Sequence, residues 1–215
     1  MKQVLYGFGV AALLVLIGWQ WQKNSSTKVE NVTVTGPKPA EKVAYVTFDD
    51  GPSEITPGIL DTLKKYDAKA TFFLIGEEIT EEREEIVKRE IEEGHSVGVH
   101  TYCHKKEEMY CNKEYFWNDF EKCKTRIEEV IGKPVSLHRF PWGSNNGYVC
   151  PLVDDLMEEL QKKKITSFDW NVSGEDSVAV GVPMASIYQN VKKDLDKYDN
   201  PIILLHDSNT MKNTA

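Results

Sequence analysis

Two histidines four positions apart, His100 and His104, bracket Thr101-Tyr102-Cys103. Imidazoles at that spacing can reach one metal ion. Alone the pattern is weak, because it also occurs on plain surfaces. A carboxylate from Asp50 would complete a set of two imidazoles and one carboxylate, leaving coordination positions open for water and substrate. Asp49 precedes it, and neighbouring side chains on an extended backbone point to opposite sides. One carboxylate can then bind metal while the other acts as general base. Read by itself, Asp49-Asp50-Gly51-Pro52 is also an ordinary surface turn.

The elements that must carry these residues alternate between β and α signals from Lys42 onward. Short β-branched and aromatic runs predict strands at Val43–Phe48, Ala70–Ile75, Ser96–Val99, Val135–Phe140, Ile165–Phe168 and Pro201–Leu205. Helical patterns lie between them: one opened by Thr56-Pro57, a charged one over Thr80–Glu93, and others over Lys113–Ile131, Leu152–Lys163 and Ala185–Tyr198. Such alternation implies a parallel sheet with right-handed crossovers, open or closed into a barrel. In parallel βα folds the active groups collect at the C-terminal ends of the strands. The unusual polar residues fall there. Asp49 and Asp50 follow the first strand, His100 and His104 the third, and Arg139 ends the fourth. Asp169 ends the fifth, and His206-Asp207 the last.

Five segments in this order resemble the NodB-like polysaccharide deacetylases, carbohydrate esterase family four, over roughly Val43 to Ser208. They are Thr47-Phe48-Asp49-Asp50-Gly51-Pro52, His100-Thr101-Tyr102-Cys103-His104, Arg139-Phe140-Pro141-Trp142-Gly143, Asp169-Trp170-Asn171 and Leu204-Leu205-His206-Asp207. The resemblance implies an α/β fold, a distorted (β/α) barrel. It also implies one divalent ion, Zn2+ foremost with Co2+ or Ni2+ as alternatives, on Asp50, His100 and His104. Asp49 would be the general base and His206 the general acid. Arg139 would hold Asp49 ionised. Asp169 would contact Arg139 or tune the acid. Thr101 would brace the histidine loop, and the Trp142 N–H would help hold the oxyanion. Pro141, Trp142, Trp170 and Leu204 would line the substrate position. The implied activity is removal of N-acetyl groups from amino-sugar polymers, peptidoglycan N-acetylglucosamine first. Chitin oligomers or O-acetylated xylan are the alternatives, as is a weakly active or inactive sugar-binding relative. Trp142 replaces the family's more usual Tyr. The chain stops at Ala215, where the family continues with a further helix and strand, so the expectation is a C-terminally truncated catalytic domain over 42–215 with a barrel open on one side.

Ahead of that domain, Lys2 and an apolar run from Val4 to Trp19 read as an export signal retained as an anchor, or a signal peptide, over 1–21. A polar linker follows over 22–41. This places the catalytic domain outside the cytoplasm, tethered to the membrane or secreted, and taken as a monomer. The formal net charge of −8 argues against a nucleic-acid partner, which needs clustered Lys and Arg. Four cysteines, Cys103, Cys111, Cys123 and Cys150, permit three disulfide connectivities, and a Cys103–Cys111 bridge would stiffen the histidine loop. A Cys103 thiolate ligand is the less economical reading, since the set of two imidazoles and one carboxylate is complete without it. His95 and His138 read as strand residues turned away from the site, His138 on the opposite face from Arg139.

Overall fold

The computed structural model describes residues 42–214. The apolar run and linker expected before them lie outside the described residues. Among the described residues, no helix is long and apolar enough to cross a membrane.

Among the described residues, seven strands form one sheet: β1 (Tyr45–Gly51), β2 (Ala70–Ile75), β3 (Ser96–Thr101), β4 (Leu137–His138), β5 (Thr166–Ser167), β6 (Val172–Ser173) and β7 (Ile202–His206). Six helices alternate with them: α1 (Thr56–Lys65), α2 (Glu84–Glu92), α3 (Lys106–Met109), α4 (Lys113–Ile131), α5 (Val153–Lys162) and α6 (Met184–Leu195). The spatial order is β5-β4-β3-β2-β1-β7-β6, and every pairing is parallel.

That order dictates curvature. β5 and β6 occupy opposite edges, yet only residues 168–171 separate them in sequence. Seven flat strands would put their edges about 29 Å apart at ~4.8 Å per strand. The five steps from Ser167 to Val172 span at most about 18 Å when fully extended. The sheet must therefore curl until its edges approach, giving a barrel left open at one seam.

Strand alternation divides the sheet's two faces. Outward residues such as Phe48, Phe72, Leu74, Val97 and Val99 pack against the helices, with Phe48 and Phe72 stacked at 5.2 Å. From α4, Phe116, Phe120, Cys123 and Ile127 recur at helical spacing and are buried in the same core. Asn112 caps α4 by accepting from the Tyr115 N–H at 3.1 Å, and Gly132 ends it in the left-handed region at φ 67°. The inner face is polar by comparison. Thr47 and Asp49 share it on β1, and register places them beside Leu204 and His206 on β7.

The sequence predicts six strands; the seventh, β6, has two residues and too short an apolar run to signal a strand. The expected helix over Thr80–Glu93 begins as a 3-10 turn at Glu81–Arg83 before α2. All four cysteines are free, so the suggested Cys103–Cys111 bridge is not present.

Candidate metal centre and its flanking groups

Asp49 and Asp50 lie inside β1, not after it, and do not diverge as an extended strand would require. The β1–β2 register slips between Asp49 and Gly51, and Asp50 takes a positive φ of 75°. This is a bulge, which re-aims a side chain. As a result Asp50 Oδ1 stands 3.4 Å from His100 Nε2, and Asp49 Oδ2 stands 4.0 Å from the same nitrogen. Both carboxylates converge on the mouth. Gly51 permits the bend: a Cβ there would lie 2.2 Å from Asp207 Oδ2.

His100 is the penultimate residue of β3, and His104 follows on a tight non-helical loop at φ 52°. His104 Nε2 is also 3.4 Å from Asp50 Oδ1. One ligand atom from each of Asp50, His100 and His104 lies within 4.8 Å of the others. Three observations fit this set to a divalent cation. Asp50 Oδ1 is buried and makes no aligned hydrogen bond. His100 Nδ1 contacts the Arg139 carbonyl at 2.9 Å; a carbonyl only accepts, so the proton sits on Nδ1 and Nε2 presents a lone pair. Burial holds His104 below the usual imidazole range and favours its neutral, ligating form. Burial would raise the Asp50 carboxyl, but the His100 contact and the surrounding imidazoles outweigh it and hold the group well below the ordinary carboxylate range. Cys103, by contrast, is driven by burial up to about 12, which keeps it a thiol and a poor ligand.

Arg139 is completely buried. Its Nη1 donates to Asp49 Oδ1 at 2.8 Å and to Thr47 Oγ1 at 2.7 Å. Nε donates to the Phe168 carbonyl at 3.0 Å, and Nη2 lies 3.4 Å from the Asp169 carbonyl. Phe73 stacks beneath the guanidinium at 4.3 Å. With Oδ1 committed to Arg139, Asp49 presents Oδ2 to the mouth.

On the other flank, His206 Nδ1 contacts Asp176 Oδ1 at 2.8 Å. The His206 N–H donates to Asp176 Oδ2 at 2.7 Å, and Thr214 Oγ1 donates to the same oxygen at 2.7 Å. Burial opposes the imidazolium, yet the Asp176 bond and the charges of Asp50, Asp176 and Asp49 raise His206 to about 9. Asp176 is the partner that sequence reasoning missed. The polar run Ser173-Gly174-Glu175-Asp176 carries no strand or helix signal and reads as loop. Asp169 was expected on Arg139 or beside the acid. Its carboxylate instead accepts from the Ser144 N–H at 2.9 Å and the Ser144 hydroxyl, so only its backbone carbonyl meets Arg139.

Thr101 Oγ1 donates to Asp119 at 2.6 Å and accepts from the His104 N–H at 3.3 Å. Pro141 is buried, its carbonyl accepting from Tyr110 Oη and Asn146 Nδ2. Trp142 sits at φ 62°, 43% exposed, with its ring 4.6 Å from that of His104. Trp170 packs against Gly143. Leu204 is buried two residues before His206, on the same strand face. His95 and His138 are buried away from the cluster; the latter sits among Phe116, Phe120 and Phe140. A cleft of about 310 Å³ adjoins the cluster, lined in part by Asp50, Ser53, Glu77, Cys103, His104 and Asn209.

A parallel βα barrel with such a donor cluster at its mouth has relatives. The profile described as polysaccharide deacetylase matches residues 36–159, and the chain belongs to that family. A peptidoglycan-N-acetylglucosamine deacetylase of Bacillus cereus is 40% identical over 170 residues, covering 77% of this chain and 60% of that protein. A bifunctional xylanase/deacetylase of Pseudobutyrivibrio xylanivorans is 31% identical over 202 residues, covering 93% of this chain and 29% of that one. Among solved structures, the catalytic domain of a peptidoglycan N-acetylglucosamine deacetylase from Eubacterium rectale aligns with a TM-score of 0.76 at 31% identity, over 82% of each chain. The match thus spans 60% and 29% of the length of these two curated relatives, under two thirds in each case.

Proposed function

We propose that this chain is a metal-dependent hydrolase that removes N-acetyl groups from amino-sugar polymers, peptidoglycan N-acetylglucosamine foremost. The observation that carries the reading is the Asp50–His100–His104 donor set within 4.8 Å, flanked by a carboxylate and an imidazole on paired strands. Asp50, His100 and His104 hold a divalent cation. Its nitrogen-rich donors suit Zn2+, with Co2+ or Ni2+ as substitutes. Such an ion supplies Lewis acidity toward the acetamide carbonyl and makes water more acidic.

The chain's own groups do the rest. Asp49 Oδ2 accepts the proton of the attacking water, while Arg139 keeps the carboxylate oriented through Oδ1. The Trp142 N–H is offered to the developing oxyanion. His206, protonated at neutral pH through Asp176, gives its proton from Nε2 to the departing amine. One water and one acetamide thus yield acetate and a free amino sugar. Trp142, Trp170, Pro141 and Leu204 shape the substrate position, with Trp142 the exposed stacking surface.

The enzyme works outside the cytoplasm, where the wall polymer lies. The apolar run from Val4 to Trp19 is its tether. Acetate release from purified peptidoglycan and from chitin oligomers, with and without added Zn2+ or Co2+, tests the reading. Release that survives thorough chelation would remove the metal from it. The xylanase/deacetylase relative supports a second reading, O-acetyl hydrolysis on xylan, so acetylated xylan belongs in the same assay.

A further inference from the structure

The two imidazoles are joined by a segment with little regular structure to hold it: β3 ends at Thr101 and α3 begins at Lys106. His104 also sits in the left-handed region, at φ 52°, which a non-glycine residue adopts only when its surroundings impose it. The imposing group is on another element. Four donors of this segment converge on the carboxylate of Asp119, in the middle of α4. Thr101 Oγ1 donates to Oδ2 at 2.6 Å and the Tyr102 N–H at 2.8 Å. The Cys103 N–H and thiol donate to Oδ1 at 3.2 and 3.3 Å. Successive backbone N–H groups aimed at one anion form a nest, and bonds to an ionised acceptor are roughly twice as strong as neutral ones. With its own hydrogen committed to Asp119, Thr101 Oγ1 accepts from the His104 N–H at 3.3 Å. Asp119 is itself fixed, because the adjoining α4 residues Phe116, Phe120 and Cys123 are buried in the core.

We propose that Asp119 is a positioning residue that sets His104 relative to His100, so that the affinity of the cluster for its cation depends on a carboxylate outside the donor set. The inference rests on Asp50, His100 and His104 being the ligands. Loss of a group that orients a metal ligand typically costs 10–100-fold in affinity.

The test is direct metal binding. Chelator-treated full chain is titrated with Co2+, following its visible absorption, with Zn2+ in competition. The parent binds, and Asp119→Ala binds ~10–100-fold more weakly with an altered Co2+ spectrum. Asp119→Asn falls between them, since its one oxygen can still accept from Thr101 and Tyr102 while its amide NH2 faces the Cys103 donors. Glu121→Ala, an exposed change on the same helix, leaves binding unchanged. Unfolding midpoints of the metal-free proteins are measured alongside. A lowered midpoint for Asp119→Ala with unaltered Co2+ affinity and spectrum overturns the proposal, reducing Asp119 to a loop staple. Should Asp119→Ala not fold, Asp119→Asn and Thr101→Val decide the question by the same two readouts. A parent that binds no Co2+ overturns the ligand assignment itself, a result separable from equal binding by parent and variant.

Discussion

Asp49 and His206 are register partners across β1 and β7, side by side on the inner face of the sheet. Neighbouring strands lie about 4.8 Å apart. The separation of proposed base and proposed acid is therefore set by backbone pairing, and each is then oriented by a buried partner: Arg139 for Asp49, Asp176 for His206.

Asp49→Asn keeps the shape of the site and removes its proposed proton acceptor. The turnover number falls ~10²–10⁴-fold, the range for loss of a general base, while Co2+ binding persists. Single-turnover acetate release alongside a Co2+ titration checks both halves. Parent-like release would eliminate Asp49 as the base.

Arg139→Met leaves the Asp49 carboxylate buried without its cation. Breaking one side of a buried pair costs about 3–5 kcal/mol, read from denaturant unfolding. Adding Asp49→Leu recovers part of this loss, because no orphaned charge then remains. A double variant less stable than the single one contradicts the pairing.

Asp176→Asn lowers the His206 pKa from about 9 toward or below the ordinary imidazole value, followed by NMR on the metal-free protein. The linkage has a definite sign. His206 is raised, so its contribution to stability is complete below about pH 6.5 and is lost as pH climbs through about 9. Asp176 is lowered, burial being outweighed by its bonds to His206 and Thr214, so its contribution is complete above about pH 4 and is lost as pH falls below that. The stability gap between parent and variant is thus widest between about pH 4 and 6.5. A gap that grows toward pH 9 would refute the assignment.

Gly51→Ala drives a methyl into Asp207, whose Oδ2 is held by the Thr56 hydroxyl at 2.6 Å and cannot swing away. Overpacking of this kind costs about 1–3 kcal/mol. Asp207→Gly in the same chain relieves it, giving a favourable coupling in a double-mutant cycle. Additive effects would mean that the two positions do not meet.

Much of this architecture was legible in the sequence because its signals are local. Ala70–Ile75 is a short, mostly apolar β-branched and aromatic run between Lys69 and Gly76, and Lys113–Ile131 carries a helical stripe between a capping Asn and a Gly; both elements have those bounds in the structure. Of the polar residues expected at strand ends, Asp49, Asp50, His100 and His104 stand close together, whereas the Asp169 carboxylate turns to Ser144 and that of Asp207 to Thr56. What escaped depends on partners distant in sequence or on backbone geometry. Nothing near Asp176 announces that it will meet His206, thirty residues away. Asp119 is one more charge on a charged helix until the fold brings the histidine loop to it. The rule of opposite-facing neighbours failed at Asp49-Asp50 because it assumes an extended strand, and the positive φ at Asp50 breaks that assumption. Asp169 stood out as the polar end of the fifth predicted strand, whereas its carboxylate serves Ser144.

The connection between β5 and β6 bridges the sheet's two margins with four residues, and Arg139 grips two of its carbonyls from within. That short tether works as a drawstring on the aperture. Lengthening it by inserted residues would let the rims part and carry the Phe168 and Asp169 carbonyls off the guanidinium, loosening Asp49 from a distance. Loop length at 168–171 thus governs how Arg139 is held against Asp49.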